Sequence, residues 1–271
     1  MDPMLRMVSL IFIAILLILG LYYLYRWING SADVKDIVLY SSVDSGIPGK
    51  SDAATIYNDA RVPTLYSGGE YSVSTWIYVT NWGINNALNK TFLKLSGGGS
   101  QYSTLVMYLG QRVNKLGIRV STDSSATGTP FLLDSTQMSL INNGASPYSD
   151  VSSDFKKCDI DSVDLQKWVN ITAVLSGRTL DVYIDGKLSR SCVLNGVYKV
   201  DSTSATTLSL GGANGFGGLI GLTRAANFAY SPDLVYKYYQ NGPFSTFSFF
   251  DLSKYSLDIT RDGKSIFSTG N

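Results

Sequence analysis

The chain contains no histidine. Nucleophile systems that need a histidine base, such as Ser-His-Asp and Cys-His, are therefore excluded. Zinc sites with histidine ligands and pH switches built on histidine are excluded as well. Because there are only 2 cysteines, a zinc site made of four thiolates from one chain is also excluded. We expect a chain that is not an enzyme and has no resident cofactor other than calcium, a possibility that the composition leaves open.

Charged residues are also scarce, at 16%, and they nearly cancel, because 22 basic residues oppose 21 acidic ones. No basic field would attract nucleic acid, so we expect no nucleic-acid partner. The 26 glycines and 18 tyrosines favour a β-rich, turn-rich chain rather than a disordered one. A length of 271 residues fits one large β domain with an appendage.

The clearest pattern runs from Trp168 to Leu194. Apolar and polar residues alternate from Val169 to Leu175 and again from Leu180 to Ile184, as in strands with one face on a core. Ser176-Gly177 breaks the chain between these runs. Asp185-Gly186 predicts a type I′ hairpin turn, since both central residues of that turn have positive φ. The stretch therefore predicts a three-stranded antiparallel meander.

Several other short stretches predict the remaining strands of an antiparallel sandwich. They are Asp36–Ser42, Thr55–Tyr57, Tyr71–Val79, Thr91–Leu95, Ser103–Leu109, Leu116–Ser121 and Thr207–Leu210. The glycine-rich run from Gly211 to Gly218 lacks the Gly-Lys-Ser/Thr ending of a phosphate loop and predicts the tip of a β-hairpin. Ser231-Pro232-Asp233 begins a helix that Asn241-Gly242-Pro243 ends.

Two segments depart from this pattern. Residues 122–157 are rich in small polar residues, and loops longer than about 12–15 residues are uncommon unless they are functional or disordered. We expect an elaborated loop inserted in the sandwich, partly fixed by Phe131–Leu133 and Met138–Ile141, and it is the best candidate for a partner-binding surface. Residues 244–271 form a C-terminal extension that begins with Phe244, Phe247, Phe249 and Phe250, expected to cover a sheet face, and continues with a hairpin around Arg261-Asp262-Gly263.

The amino-terminal segment predicts a membrane anchor. After a tail at residues 1–6, the 19 residues from Met7 to Tyr25 carry no charge, and at about 1.5 Å per residue they span a hydrocarbon core of roughly 30 Å. We expect a transmembrane helix over residues 7–27 and a linker over residues 28–35. The residues expected to contact lipid or its interface are Met7, Leu10, Phe12, Leu16, Leu19, Tyr22, Tyr25 and Trp27.

A cleaved signal peptide is the alternative, with Gly30-Ser31-Ala32 as its cleavage site. The apolar run exceeds the usual apolar region of about 7–15 residues, and Arg26-Trp27 interrupts it, so an uncleaved anchor is favoured. Flanking positive charges nearly balance, and we prefer the tail inside and the domain outside or in a lumen. Sequons at Asn29, Asn89 and Asn170 would suit that side.

The two cysteines are a candidate disulfide. Cys158 precedes the Trp168 strand, and Cys192 lies in the third strand of the meander. If residues 158–164 fold back along the sheet, the two thiols pair, and the closed loop stabilises the domain by roughly 3–4 kcal/mol. Two buried free thiols are the alternative. A membrane anchor suggests exposure to an oxidising side, which favours the disulfide.

The meander resembles the laminin-G-like, concanavalin A-like jelly roll, whose loose pattern is W-x-h-x-A-h-h followed by L-x-h-Y-h-D-G. Tyr71–Val79 resembles the early core strand of that family, Gly218–Arg224 its last strand and Phe228–Gly242 its closing helix. The resemblance covers Asp36 to Pro243. It implies an all-β antiparallel sandwich with one short closing helix, here preceded by a single transmembrane helix. The fold hosts lectins, glycosidases, receptors and structural modules.

Glucanases of this fold carry a Glu-x-Asp-x-x-Glu strand in which two carboxylates act as nucleophile and acid. The matching stretch here holds Asp159, Asp161 and Asp164, whose shorter side chains would alter the carboxylate spacing. We therefore do not expect catalysis. A polar turn or a calcium site made of these carboxylates is the remaining interpretation, since calcium needs only oxygen ligands.

The order of motifs from Cys158 to Leu194 also resembles membrane-anchored jelly-roll proteins encoded by large DNA viruses. That resemblance implies a single-pass structural protein, a minor virion component that links an internal membrane to capsid proteins. The alternative function is a membrane-tethered carbohydrate-binding module at a cell surface or in a lumen, with calcium as a possible cofactor. A glycoside hydrolase is the least favoured function.

Overall fold

A computed structural model describes the chain over eleven stretches, with two compact units, residues 1–35 and residues 36–271. The described residues are 12–21, 36–42, 46–57, 62, 69–97, 102–123, 130–143, 158–200, 206–244, 257–261 and 264–269. Each unit is described by itself.

The first unit contains a helix, α1, at residues 12–21. Its large apolar side chains are exposed, with Phe12 at 62% and Leu16 at 53%. No helix among the described residues is both long enough and apolar enough to cross a membrane. Of the predicted anchor residues, Phe12, Leu16 and Leu19 belong to α1, and those outside the described residues are Met7, Leu10, Tyr22, Tyr25 and Trp27.

The second unit is built on two antiparallel sheets. Sheet I has the order β1-β15-β4-β10-β11-β12, with β2 also paired to β15. Its strands are β1 (Asp36–Tyr40), β2 (Ile47–Pro48), β4 (Glu70–Asn81), β10 (Trp168–Ser176), β11 (Thr179–Ile184), β12 (Lys187–Val193) and β15 (Gly217–Ala226).

Sheet II has the order β3-β14-β5-β6-β7, with β9 also paired to β6. Its strands are β3 (Thr55–Tyr57), β5 (Lys90–Gly97), β6 (Tyr102–Leu109), β7 (Leu116–Val120), β9 (Leu133–Asp134) and β14 (Thr206–Leu210). Two small pairs complete the unit, β8 (Thr122–Asp123) with β13 (Val197–Tyr198) and β16 (Leu257–Arg261) with β17 (Lys264–Thr269). The helices are α2 (Ser135–Asn143) and α3 (Pro232–Gln240).

The predicted meander is confirmed. Strands β10, β11 and β12 pair in sequence order and are antiparallel. Asp185 and Gly186 have φ values of 49° and 76°, the two positive angles that a type I′ turn requires. The predicted hairpin near the carboxyl end is confirmed as well, because β16 pairs antiparallel with β17.

The main core lies between the two sheets. Ile77 of β4 and Ile171 of β10 meet Leu95 of β5 and Met107 of β6 within one cluster, and all four are fully buried. Burying a side chain of this size stabilises the fold by about 1.5–3 kcal/mol. The apolar positions at period two are therefore the ones that join the layers, and the predicted antiparallel sandwich is confirmed.

The second face of β10 is buried too, although its alternating pattern predicted one face on a core. Asn170 and Thr172 are each 1% exposed. The Asn170 amide donates to the Ser74 hydroxyl at 3.1 Å, and the Thr172 hydroxyl donates to the Asn170 amide oxygen at 3.0 Å. Polar side chains remain buried here because they satisfy one another.

The closing helix α3 covers that face of sheet I. Ser231 caps it by accepting a hydrogen bond from the Leu234 backbone N–H at 3.3 Å, and Val235 packs against β10, β11 and β15. Its Tyr238 hydroxyl donates to the carboxylate of Asp36 at the start of β1. Burial and this hydrogen bond raise the pKa of Tyr238 to about 12. The predicted start and end of the closing helix are confirmed.

One expectation about loops is wrong, and another is correct only in part. The run from Gly211 to Gly218 is not a hairpin tip, because β14 pairs with β3 and β5 in sheet II whereas β15 pairs with β1, β2 and β4 in sheet I. It is a crossover between the layers. The predicted loop at residues 122–157 is fixed at Leu133 and Ile141, within the two segments expected to fix it, but it contains regular structure, namely β8, β9 and α2.

Candidate functional site

The outer faces of the two sheets differ in how they are covered. On sheet I, α3 and the residues around it cover the outer face of β4, β10, β11 and β15, where Trp76 stacks on Tyr239 with ring centroids 5.6 Å apart, and β12 stays exposed. On sheet II, α2 covers Val106 and Tyr108 of β6 through Ile141. The neighbouring strands β5, β14 and β3 keep a partly open outer face.

One row of paired residues across sheet II shows which strands are covered on their outer face and which stay open. Ile56, Ser209, Lys94, Val106 and Arg119 are successive partners across β3, β14, β5, β6 and β7. Cross-strand partners share a face of a sheet, and the neighbours of Lys94 in β5 point into the core, so this row points outward. Val106 and Arg119 are fully buried, Lys94 and Ser209 are half-buried, and Ile56 is 59% exposed.

Two adjoining depressions lie on this open half, and together we call them the sheet II groove. Their volumes are about 280 Å³ and about 320 Å³. Both are lined by Lys94 of β5 and by Met138 and Asn142 of α2, so these three residues mark the centre of the groove. The first depression extends towards Ile56 and Ser209, and the second towards β6 and β9.

Helix α2 forms one wall and is fixed to the sheet by polar contacts at both of its ends. The Asp134 carboxylate accepts from the Gln137 N–H at 2.8 Å, which caps the first turn. Near the other end, the Asn89 amide donates to the Ile141 carbonyl at 2.8 Å, and the Thr91 hydroxyl donates to the Asn142 amide oxygen at 3.0 Å. The amide NH2 of Asn142 is thereby left as a donor beside the first depression.

The crossover from β14 to β15 forms the other wall. The Asn85 amide donates to the carbonyls of Ala213 and Gly215 at 2.9 Å and 2.8 Å. At Gly215 a Cβ atom would lie 1.8 Å from the Gly49 carbonyl oxygen, so only glycine fits this close approach. The two Asn85 hydrogen bonds and this close backbone approach therefore hold the wall in place.

Among the described residues, Lys94 is the only charged side chain that lines the first depression, while the second also contains the Asp134 carboxylate. Within the described residues, Lys94 makes no ion pair. The other lysine of β5, Lys90, is fully buried outside the groove, where it donates to the Gly110 carbonyl at 3.0 Å. Burial lowers the pKa of Lys90 to about 8.

The three carboxylates considered for calcium or catalysis serve separate ion pairs. Asp159 pairs with both Lys115 and Arg119 at 2.6 Å and is 2% exposed. The exposed Asp161 and Asp164 pair with Arg190 at 2.9 Å and Lys167 at 2.6 Å, in that order. Among the residues that the structure describes, no group of three or more acidic, cysteine or histidine side chains is arranged to hold a metal ion.

Cys158 and Cys192 form a disulfide in the structure, with an S–S distance of 2.16 Å and a Cα–Cα distance of 5.7 Å. The segment after Cys158 lies along β7, because Ile160 and Leu116 exchange two backbone hydrogen bonds of 3.0 Å. Cys192 belongs to β12 at the edge of sheet I. The bond therefore links an edge of sheet II to an edge of sheet I.

Two of the three sequons are buried in the folded domain. Asn89 is 4% exposed and Asn170 is 1% exposed, and both side chains are hydrogen-bonded. The third, Asn29, lies outside the described residues, as do Phe247, Phe249 and Phe250 of the extension. The first phenylalanine of the extension, Phe244, packs edge-on against Trp168, with ring centroids 5.2 Å apart.

The groove residues were missed because their signal is spread over distant strands. Lys94 and Ser96 alternate with core residues in β5, and Thr207 and Ser209 do so in β14. Each pair alone is typical of any half-exposed strand. The predicted loop insertion at residues 122–157 does contribute to the groove, since it supplies α2.

The sequence profile described as the concanavalin A-like lectin/glucanases superfamily, of laminin G type, matches residues 48–235. This chain belongs to that superfamily. The match runs from β2 into α3 and includes the groove, and it leaves α1 outside. No curated protein sequence matches the chain significantly.

Several solved structures are similar to this member of the superfamily in fold. The binding domain of botulinum neurotoxin serotype D has 13% identity and a TM-score of 0.48, with 77% of this chain and 46% of that chain covered. The binding domain of Paraclostridial Mosquitocidal Protein 1 has 14% identity and a TM-score of 0.46, with 77% and 45% covered. The chain spans about half the length of these structures.

Proposed function

We propose that this member of the superfamily is a carbohydrate-binding module that holds a glycan in the sheet II groove. The observation that carries the proposal is the contrast between the two outer faces. Helix α3 covers the central strands of sheet I, whereas the outer face of sheet II keeps an open, polar groove between two walls held by hydrogen bonds. A preformed concave site with a few convergent polar groups is the usual form of a ligand site.

The chemistry of the groove suits a sugar. The Ser209 hydroxyl, the Asn142 amide and the Lys94 ammonium offer hydrogen bonds to sugar hydroxyls. Ile56 and Met138 offer apolar surface to the C–H face of a pyranose ring. Both kinds of surface lie within one depression of about 280 Å³.

The same groove favours binding over glycoside hydrolysis. Hydrolysis commonly needs two carboxyl groups on either side of the scissile bond, roughly 5–10 Å apart. Among the described residues that line the groove, Asp134 is the one carboxylate, and it caps α2. We therefore assign the groove to recognition.

The test is a glycan panel probed with the full chain in mild detergent, with and without calcium. We expect saturable binding to one sugar class that does not depend on calcium, because Asp159, Asp161 and Asp164 are engaged in ion pairs. Ser209→Tyr should abolish binding by filling the first depression. The matched control Ser189→Tyr changes an exposed position of β12 and should leave binding intact.

Failure to bind any sugar in either condition would refute the carbohydrate proposal. Equal loss of binding in Ser209→Tyr and Ser189→Tyr would refute the assignment to the groove. Thermal unfolding of both variants, compared with the unchanged chain, separates loss of the site from loss of the fold.

We propose as a second function that the chain is a membrane-tethered structural protein, a minor virion component that docks a capsid protein. Two observations favour it. Helix α1 exposes its apolar side chains, as an anchor would to lipid. Strand β12 lies at the edge of sheet I and exposes Leu188 at 55% and Val193 at 70%, so a partner strand would find unpaired backbone groups beside apolar contacts.

Two measurements test this second function. The full chain should float together with liposomes, and the variant Leu16→Lys, which changes α1, should not. Cross-linking of intact particles that contain the chain should join it to the shell protein, and Leu188→Lys should weaken the link while Val113→Lys, at a position 52% exposed, should not. Absence of links between the chain and the shell would count against the docking role.

A further inference from the structure

The charge distribution along the sheet II groove narrows the class of ligand, and this step rests on the proposed carbohydrate-binding function. The described residues that line the first depression include the Lys94 ammonium and no acidic side chain. The second depression contains Lys94 and Asp134. The part of the groove beside Ser209 and Ile56 is therefore positive, and the opposite part is balanced.

The position of Lys94 in sheet II strengthens the attraction between its ammonium group and an incoming anion. It is half-buried in the centre of β5, between Ser209 on β14 and the fully buried Val106 on β6. No described carboxylate lies within ion-pair distance of its ammonium. A charge that has lost part of its hydration and has no counter-ion interacts more strongly with an incoming anion than a fully hydrated lysine does.

The neighbours of Lys94 add donors and an apolar strip. The Asn142 oxygen already accepts from Thr91, so the Asn142 side chain presents its NH2 group as a donor. The Ser209 hydroxyl can donate as well. Ile56, at 59% exposure, lies on the far side of Ser209 in the same register row. One end of the site thus favours an anionic group and the other favours the C–H face of a ring.

We infer that the sheet II groove recognises an acidic sugar, whose carboxylate or sulfate binds the Lys94 ammonium in the first depression while the ring contacts Ile56. The acidic group would receive hydrogen bonds from the Lys94 ammonium and from the Asn142 amide or the Ser209 hydroxyl. A charge-assisted hydrogen bond of this kind should give an acidic sugar a Kd about 10- to 100-fold lower than that of its neutral counterpart.

The test compares acidic sugars with neutral counterparts on the full chain. The probes are glucuronate-terminated against glucose-terminated oligosaccharides, sialate-terminated glycans against their methyl esters, and galactose sulfate against galactose. We expect one acidic member to bind about 10- to 100-fold more tightly than its neutral counterpart, with weaker binding at higher salt. Comparing the ratio of affinities in the two carboxylate-containing pairs with the ratio in the sulfate-containing pair shows which acidic group the site prefers.

Variants of Lys94 connect the preference to the groove. Lys94→Met should reduce the acidic-to-neutral ratio to about one, and Lys94→Arg should retain part of it. Lys187→Met, which removes an exposed lysine of β12, should leave the ratio unchanged. Should Lys94→Met unfold the chain, Lys94→Gln provides the same comparison.

The outcomes separate this inference from the function on which it rests. Binding of neutral sugars at equal strength, with no effect of Lys94→Met, overturns the acidic ligand and leaves the carbohydrate-binding function in place. An acidic preference that survives Lys94→Met also overturns the assignment. Absence of binding to every probe overturns both.

Discussion

Asp159→Asn should destabilise the domain severely, because it breaks a buried ion pair without changing the shape of the side chain. Asp159 accepts from Arg119 Nη1 at 2.6 Å and lies 2.6 Å from the Lys115 ammonium. Arg119 is fully buried and Asp159 is 2% exposed, so water cannot replace the lost carboxylate. The substitution would leave two positive charges without their shared partner.

The expected loss follows from the burial of both groups. Removing one partner of a buried ion pair costs about 3–5 kcal/mol. Arg119 keeps its hydrogen bond to the Ile118 carbonyl at 2.9 Å and its position over the Tyr108 ring, which favours the lower end of this range. At roughly 2–4 °C per kcal/mol for a domain of this size, a loss of about 3 kcal/mol lowers Tm by about 6–12 °C.

The assay is urea unfolding followed by tryptophan fluorescence, with Asp161→Asn as the matched control. The Asp161 side chain is 82% exposed, so its ion pair with Arg190 should contribute less than about 1 kcal/mol. Replacing both partners, as in Asp159→Asn with Arg119→Met, should recover much of the loss because the buried positive charge is removed together with the carboxylate. A loss below about 1 kcal/mol for Asp159→Asn would refute the assignment of Asp159 to a structural ion pair.

Three further perturbations test other parts of the fold. Burial lowers the pKa of Lys90 to about 8, so above that pH the unfolded chain binds more protons than the folded chain does. The free energy of unfolding should therefore rise by about 1–2 kcal/mol from pH 8 to 9.5 relative to that of Lys90→Met. An equal rise in the Lys90→Met variant would contradict this prediction. Thiol titration of the native chain should detect no thiol from Cys158 or Cys192. Reduction of the disulfide should lower the free energy of unfolding by roughly 3–4 kcal/mol. Two reactive thiols in the native chain would refute the disulfide. Gly215→Ala should cost about 1–3 kcal/mol in urea unfolding, since its Cβ would lie 1.8 Å from a carbonyl oxygen, whereas Gly83→Ala, with 3.1 Å to its nearest atom, should cost less.

The meander and the closing helix could be predicted because their signals are local. Asp185-Gly186 determines its turn through two backbone angles, and Ser231 determines the helix start through one hydrogen bond. Neither depends on which strand lies beside which. The resemblance to the family pattern then indicated which strand or helix of the family fold each of these elements corresponds to.

The groove and the crossover could not be predicted, because both depend on pairing between distant strands. Lys94 and Ser209 become neighbours only when β14 pairs with β5, and a period-two pattern does not choose that partner. The same limit explains the error at Gly211–Gly218, where a glycine-rich turn between two strands is compatible with one sheet or with two. Helix α2 was missed because its residues are mostly polar, and Ile141 is its one buried residue.

The disulfide has a consequence for how the sandwich can open. The two layers are joined covalently at opposite margins, by the crossover between β14 and β15 on one side and by Cys158–Cys192 on the other. Reduction would release only the second margin, where β7 and β12 lie, so amide hydrogen exchange should accelerate there first. The first depression of the groove lies towards the first margin, on β5 and β14, so an oxidising or reducing environment would change the lifetime of the domain more than the affinity of this depression for a ligand.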